Sequence, residues 1–263
     1  MTWSLWLLLI PLAFLAFSCA WLIQRRTGDA GVVDVFWPYS VAAAAVILAL
    51  WGEGDAGRRW LMALLVLAWG LRLGTYVLTD RVIGGHEDRR YAQMRVDWAD
   101  RFPLFIFRFY QYQAMSVFGL ALVFVVIAAN DAALGLWGWF AGLIVLIGII
   151  GETLADRQLE AWRKNPANKG KSCRGGLWAY SRHPNYFFEW LVWAGWALMA
   201  ITTPTWGLLG LIPAVILYVA INYFTGIPPN EEQNLRSRPD YAAYQREVSA
   251  FVPLPPKTST PKG

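Results

Sequence analysis

From Trp190 to Phe224 the chain runs for 35 residues without a charged side chain. About 20 apolar residues cross the hydrocarbon core of a bilayer, so this run is too long for one span. The triplet Thr202-Thr203-Pro204 divides it, because proline favours a tight turn and cannot continue a helix. Similar apolar stretches recur along the chain, and the spans read as 3–23, 32–51, 60–79, 104–129, 132–151, 186–203 and 205–224. Arg72 and Arg108 interrupt two of them. The expectation is an all-α, polytopic integral membrane protein of seven transmembrane helices, one membrane domain over 1–263 with a tail from 225. Composition agrees: 57% of residues are hydrophobic and only 16% charged, against about 25% charged in soluble domains.

The first stretch, Trp3 to Ile23, has no basic region before it and is too long for a signal-peptide core. It reads as a retained span. If seven spans alternate, nineteen Lys and Arg fall on one side and only Arg58 and Arg59 on the other. Basic residues accumulate on the cytoplasmic side of short loops. The N-terminus is therefore expected outside and the C-terminus in the cytosol, in a bacterial inner membrane. The net charge of +5 is explained by this orientation, so no nucleic acid partner is expected, and no obligate protein partner is evident. Cys19 and Cys173 are too few and too far apart for a disulfide framework or a metal site. Cys19 reads as a buried small apolar residue. The tail is expected to form a short amphipathic helix around Pro239 to Val248, and its last ten residues to be disordered.

Two polar stripes stand out at span ends. Glu152, Asp156, Glu160 and Arg163 recur at intervals of three or four, which places them on one helix face. SRHPNY at 181–186 then opens a further apolar helix carrying Asn185 and Glu189 one turn apart. Between them lies a basic, Gly-rich loop with Arg163, Lys164, Lys169, Lys171 and Arg174. Glu152 and Asp156 either form a solvated helix end paired to Arg163 and Lys164, or accept hydrogen bonds from the ribose or adenine groups of a nucleotide. The loop cations either orient the protein or neutralise phosphates, which Arg does with paired bonds. Glu189 lies in an apolar helix, where an ionisable group costs at least about 2.5 kcal/mol unless paired or hydrated. It is either functional or paired with Arg182. Asp34 opens the second span as DVFWPYS, either as a helix-start carboxylate favoured by the dipole or as a functional acid. Arg72, deep in the third span, is a partner for Asp34 or Glu189.

Other signals are absent. No GxGxxG follows a strand, so no Rossmann nucleotide fold is indicated. GKS at 170–172 lacks the first glycine of a phosphate loop. His86 and His183 lack the companions of a metal site, and no metal is expected.

The run GGLWAYSRHPNYFFEW, preceded by ETLADRQLEAWRK, resembles the C-terminal domain of steroid 5α-reductases and their bacterial relatives. The resemblance is strongest over 152–193 and looser over the first hundred residues. It implies NADPH entering from the cytosol and passing a hydride to the β-carbon of an enone while an acidic group polarises the carbonyl. Carried over, Asp156 and Arg163 match cofactor contacts, and Asn185 with Glu189 match the pair that holds the nicotinamide end. Asp80 and Arg81 look like the loop contact before the fourth span. Glu152 stands where some members have Asn, and Arg174, Tyr180, Arg182, His183 and Tyr186 complete the implied cofactor set. On the substrate side, Trp69 takes the position of a family Tyr, and Asp34, with Trp37 and Arg72 nearby, replaces a Gln-Glu pair from a shifted register. Asp34 and Glu189 are the implied catalytic residues.

The chemistry is coherent by itself. Enone reduction needs a hydride donor beside an apolar pocket and a proton donor at the oxygen. A buried carboxylic acid with a raised pKa suits that role, and a closing loop such as 80–103 would exclude water. The expected substrate is a membrane-soluble 3-oxo-Δ4 steroid or a related isoprenoid lipid. The alternatives are an isoprenylcysteine-type methyltransferase using S-adenosylmethionine, which resembles the same C-terminal half, and a non-catalytic lipid-binding protein.

Overall fold

The computed structural model describes residues 2–83 and 89–257, with the side chains of Arg81 and Arg89 left out. Helices are the only regular elements among the described residues: α1 (Thr2–Thr27), α2 (Val32–Trp51), α3 (Ala56–Val77), α4 (Arg89–Trp98), α5 (Phe102–Leu120), α6 (Leu122–Ala128), α7 (Leu136–Lys164), α8 (Pro184–Ala200), α9 (Leu211–Val219), α10 (Ile227–Ser237) and α11 (Tyr241–Glu247). Six helical stretches are long and apolar enough to cross a membrane. The stretch expected to span at 186–203 is the 17-residue α8, which rises about 25 Å and ends just before the Thr202–Pro204 break. The chain divides into two compact units, one of 1–139 and 198–211, the other of 140–197 and 212–263.

In the first unit, α2 and α3 approach closely. A Cβ on Gly70 would sit 2.6 Å from that of Ala42 and 2.9 Å from the Pro38 carbonyl. Small residues of this kind let helix backbones meet where lipid supplies no hydrophobic driving force. Asp55 caps α3 by accepting from the Arg58 N–H at 2.9 Å, and also accepts from the Leu134 N–H at 3.1 Å. Arg58, 4% exposed, donates to the carbonyls of Ala132 (2.6 Å) and Ala133 (3.4 Å) and to the Thr202 hydroxyl (3.1 Å). Buried carbonyls need donors, so Arg58 is a structural clamp rather than a loop charge. Cys19 corrects the expectation of burial: it is exposed on α1. A small apolar residue on an outer face is no liability where the solvent is lipid.

In the second unit, α7 and α8 meet along a seam of glycines. A Cβ on Gly148 would lie 2.6 Å from Val192 Cγ2 and 2.9 Å from the Phe188 carbonyl, and one on Gly151 would lie 2.2 Å from the Phe188 ring. This contact sets the two helices that carry the polar stripes side by side. The tail then folds back. Ser181 forms a bridge with Ser249, and Phe251 joins Ile221 and Ile227 in a cluster flanked by Tyr186, Phe187 and Trp190. The expected tail helix is α11, at 241–247. The preceding α10 escapes a sequence reading because Pro228 and Pro229 look like breakers, yet they sit in its first turn, where a missing N–H costs nothing. Of the last ten residues, expected to be disordered, 254–257 are instead tied down by backbone bonds from Leu254 to the Tyr180 carbonyl at 2.9 Å and from Lys257 to the Glu247 carbonyl at 2.8 Å. Those from 258 onward lie outside the described residues.

Candidate functional site

The second unit brings Asp156 and Asn185 together. Asn185, in the first turn of α8, donates from Nδ2 to Asp156 Oδ1 at 3.3 Å. Asp156 and Glu152, one turn apart on α7, are 6% and 5% exposed. Glu189, half-buried one turn beyond Asn185, accepts from the Trp193 indole at 2.9 Å. Three carboxylates and an amide thus gather on two packed helices, a set that can accept hydrogen bonds from hydroxyl and amide groups of a ligand. Trp193 was not foreseen; its i+4 spacing from Glu189 was the available signal.

Arg182 and His183 belong to a different arrangement. Both point to Glu231 of α10, Arg182 Nε at 2.6 Å and His183 Nε2 at 3.3 Å. Gln245 Nε2 donates to the other Glu231 oxygen at 2.8 Å, and the Tyr241 hydroxyl approaches at 3.4 Å. Arg182 also donates to the carbonyls of Gln245 and Val248. The expected alternative pairing of Arg182 with Glu189 gives way to this one. Tyr186 stacks on His183 at 5.4 Å and accepts from Asn230 at 2.9 Å. The SRHPNY run is therefore held from below by α10, 40 to 50 residues later, which no local pattern announces.

Burial opposes ionisation of Glu231, but hydrogen bonds from His183 and Arg182 outweigh it and hold its carboxyl down at about 2. Burial also lowers His183 below 6.5, against the pull of Glu231. Both groups bind fewer protons folded than unfolded, so both add stability that falls as pH falls. The docked tail is expected to lose stability first below about pH 6.5 through His183, then between about 4.5 and 2 through Glu231. Thermal unfolding of the purified protein across pH 3 to 8 checks this, and a melting temperature that rises on acidification would contradict it.

The basic loop is partly committed. Lys164 pairs with Glu160 at 2.6 Å and Arg174 with Glu247 at 2.8 Å, while Arg163 is exposed at the end of α7. Tyr180 is also exposed, with its carbonyl taken by the Leu254 N–H at 2.9 Å. Asp80 is exposed in the π-helical turn that continues α3. The side chain of Arg81 and residue His86 lie outside the described set.

In the first unit, Asp34 accepts from the hydroxyl of Tyr91, a 1%-exposed residue of α4, at 2.8 Å, and Arg90 stands 3.8 Å away. Trp37 donates to Ser116 at 2.9 Å and meets the buried Trp69 edge-on at 5.9 Å between ring centroids. Arg72 lies over the Tyr76 ring at 5.7 Å. Tyr91 and Arg90 are the partners that sequence reasoning missed, because α4 was read only as part of a loop. No group of three His, Cys, Asp or Glu among the described residues is placed to hold a metal.

The residues of the second unit fit a dinucleotide in kind: acceptors and an amide for sugar and carboxamide groups, cations for phosphates. The model of a family described as protein of unknown function, DUF1295, matches residues 20–248. An uncharacterized protein of Schizosaccharomyces pombe is 27% identical over 92% of this chain and 78% of its own length. A steroid 5-alpha-reductase of Gossypium hirsutum is 34% identical over a third of this chain and 31% of its own. A probable O-methyltransferase of Ustilaginoidea virens is 41% identical over 17% of this chain and 16% of its own. No solved structure matches.

Proposed function

The chain belongs to the DUF1295 family, and we propose that this member is an integral-membrane reductase using NADPH on an enone-bearing lipid of the 3-oxo-Δ4 steroid or isoprenoid kind. The observation that carries the reading is the Asp156–Asn185 bond, with Glu189 one turn on, at the polar ends of two packed apolar helices. The partial similarity to a steroid 5-alpha-reductase supports it. The excess of nineteen basic residues over two supports a cofactor side facing the cytosol, with the N-terminus outside.

When bound, NADPH supplies a hydride for the β-carbon of the enone. The chain does the rest. Asn185 and Glu189 orient the nicotinamide carboxamide, Asp156 fixes Asn185, and Arg163 meets phosphate. Taken by itself, the first unit offers the Asp34–Tyr91 hydrogen-bonded pair, with the aromatic rings of Trp37 and Trp69 in contact, as the groups assigned to an apolar carbonyl substrate. Tyr91, whose hydroxyl is held by Asp34, is the group suited to donating at a developing enolate oxygen.

A second reading, transfer of a methyl group from S-adenosylmethionine, is favoured by the 44-residue stretch that is 41% identical to a probable O-methyltransferase. Binding separates the two. The purified protein is expected to quench NADPH fluorescence saturably, and Asp156→Asn, Asn185→Ala and Glu189→Gln each to weaken binding about 10- to 100-fold, as expected for hydrogen bonds to charged groups. Saturable S-adenosylmethionine binding without NADPH binding would sink the reductase.

A further inference from the structure

Asn185 sits in the first turn of α8, directly after Pro184. The first N–H groups of a helix have no partner within it, so such a turn keeps its shape only where something outside ties it down. The bond from Asn185 to Asp156, at 3.3 Å, is longer than most N–H···O bonds and is a weak tie. The ties to the C-terminal tail are shorter and lie on both sides of Asn185.

Before it, the Leu254 N–H donates to the Tyr180 carbonyl at 2.9 Å, and the Arg182 N–H to the Ser249 carbonyl at 2.8 Å. The Ser181 hydroxyl donates to the Phe251 carbonyl at 2.8 Å and accepts from the His183 N–H at 3.1 Å. The Arg182 and His183 side chains meet Glu231 at 2.6 and 3.3 Å. After it, Asn230 donates to the Tyr186 hydroxyl at 2.9 Å. Ser181, Arg182 and His183 are all buried. The aromatic packing of Phe251, Tyr241 and Tyr244 would serve to anchor a tail. It does not require a charged pair three residues from Asn185.

We infer that the docked tail is a latch on the candidate site, with Glu231 as a positioning residue that acts through Arg182 and His183 to hold Asn185 toward Asp156 and a bound ligand. Naming that ligand NADPH rests on the reductase reading; the latch does not. Coupling between two binding events is reciprocal. If tail docking raises ligand affinity, a bound ligand must tighten the docking by the same factor.

The test uses the full chain in detergent. Without ligand, Glu231→Gln is expected to speed hydrogen exchange of residues 181–188 about tenfold and to leave 190–197 unchanged, because local opening is read by exchange. Glu231→Gln should also weaken NADPH binding about tenfold, the scale on which small misplacements act. The double variant Asn185→Ala/Glu231→Gln should bind no more weakly than Asn185→Ala, since residues that act through one another are not additive; general destabilisation would add both losses. Saturating NADPH should slow trypsin cleavage after Arg236 and Arg246 in wild type but not in Asn185→Ala. Asn230→Ala, which removes only the bond to Tyr186, should shift exchange and affinity less in the same direction, and it decides the matter if Glu231→Gln does not fold. Arg236→Gln, which breaks an exposed pair with Glu232, should change neither. Exchange that is unchanged in both tail variants, or losses that add in the double variant, overturns the latch. If exchange responds but NADPH does not bind wild type, the latch stands and the reductase reading falls. If NADPH binds and exchange does not respond, the reverse holds.

Discussion

Gly148→Leu is expected to unfold or misassemble the second unit. The new side chain would start 2.6 Å from Val192 and 2.9 Å from the backbone oxygen of Phe188 and the backbone nitrogen of Val192. A flexible side chain can turn aside; backbone cannot, so α7 and α8 must separate. Overpacking of a tight core costs typically about 1–3 kcal/mol and occasionally more, and a backbone collision belongs at the upper end. A loss of about 3 kcal/mol lowers a melting temperature by about 10 °C at this size. Because Asp156 and Asn185 are joined across the same seam, ligand binding should fall with stability. The control is Gly119→Leu on α5, where a Cβ meets no heavy atom within 4 Å. Thermal unfolding in detergent compares them, and equal melting temperatures would show that the seam is not tight.

Glu231→Ala should be nearly as damaging, for an electrostatic reason. Arg182 and Glu231 have side chains only 9% and 15% exposed. Removing one partner of a buried pair leaves an uncompensated charge and costs about 3–5 kcal/mol. The same change strips His183, Gln245 and Tyr241 of their common acceptor. The expected result is release of α10 and α11, read as faster proteolysis after Arg236 and Arg246 and a melting temperature lower by about 10 °C. Glu231→Gln keeps the shape but not the charge and should fall between. A tail that stays protected in Glu231→Ala would mean that the aromatic packing of Phe251, Tyr241 and Tyr244 holds it without the ion pair.

The apolar runs and their breaks marked the helices because the bilayer leaves few choices. Every backbone polar group must be satisfied within a segment, so a long uncharged run becomes a helix whatever surrounds it. The spacing of Asp156, Asn185 and Glu189 was legible for the same reason: helical periodicity is a local property, and three or four residues suffice to state it. What the sequence could not reveal was pairing over distance. Glu231 lies 49 residues from Arg182 and Tyr91 lies 57 from Asp34, and nothing in either neighbourhood names the other. The sequence offered Glu189 as the partner of Arg182, whereas packing supplied Glu231, and it gave no sign of Tyr91 beside Asp34. The sequence by itself determined a helical membrane protein with acidic and amide groups at two helix ends. The tertiary structure alone decided which charges are consumed in holding the tail, because that choice depends on where the folded chain puts its carboxylates.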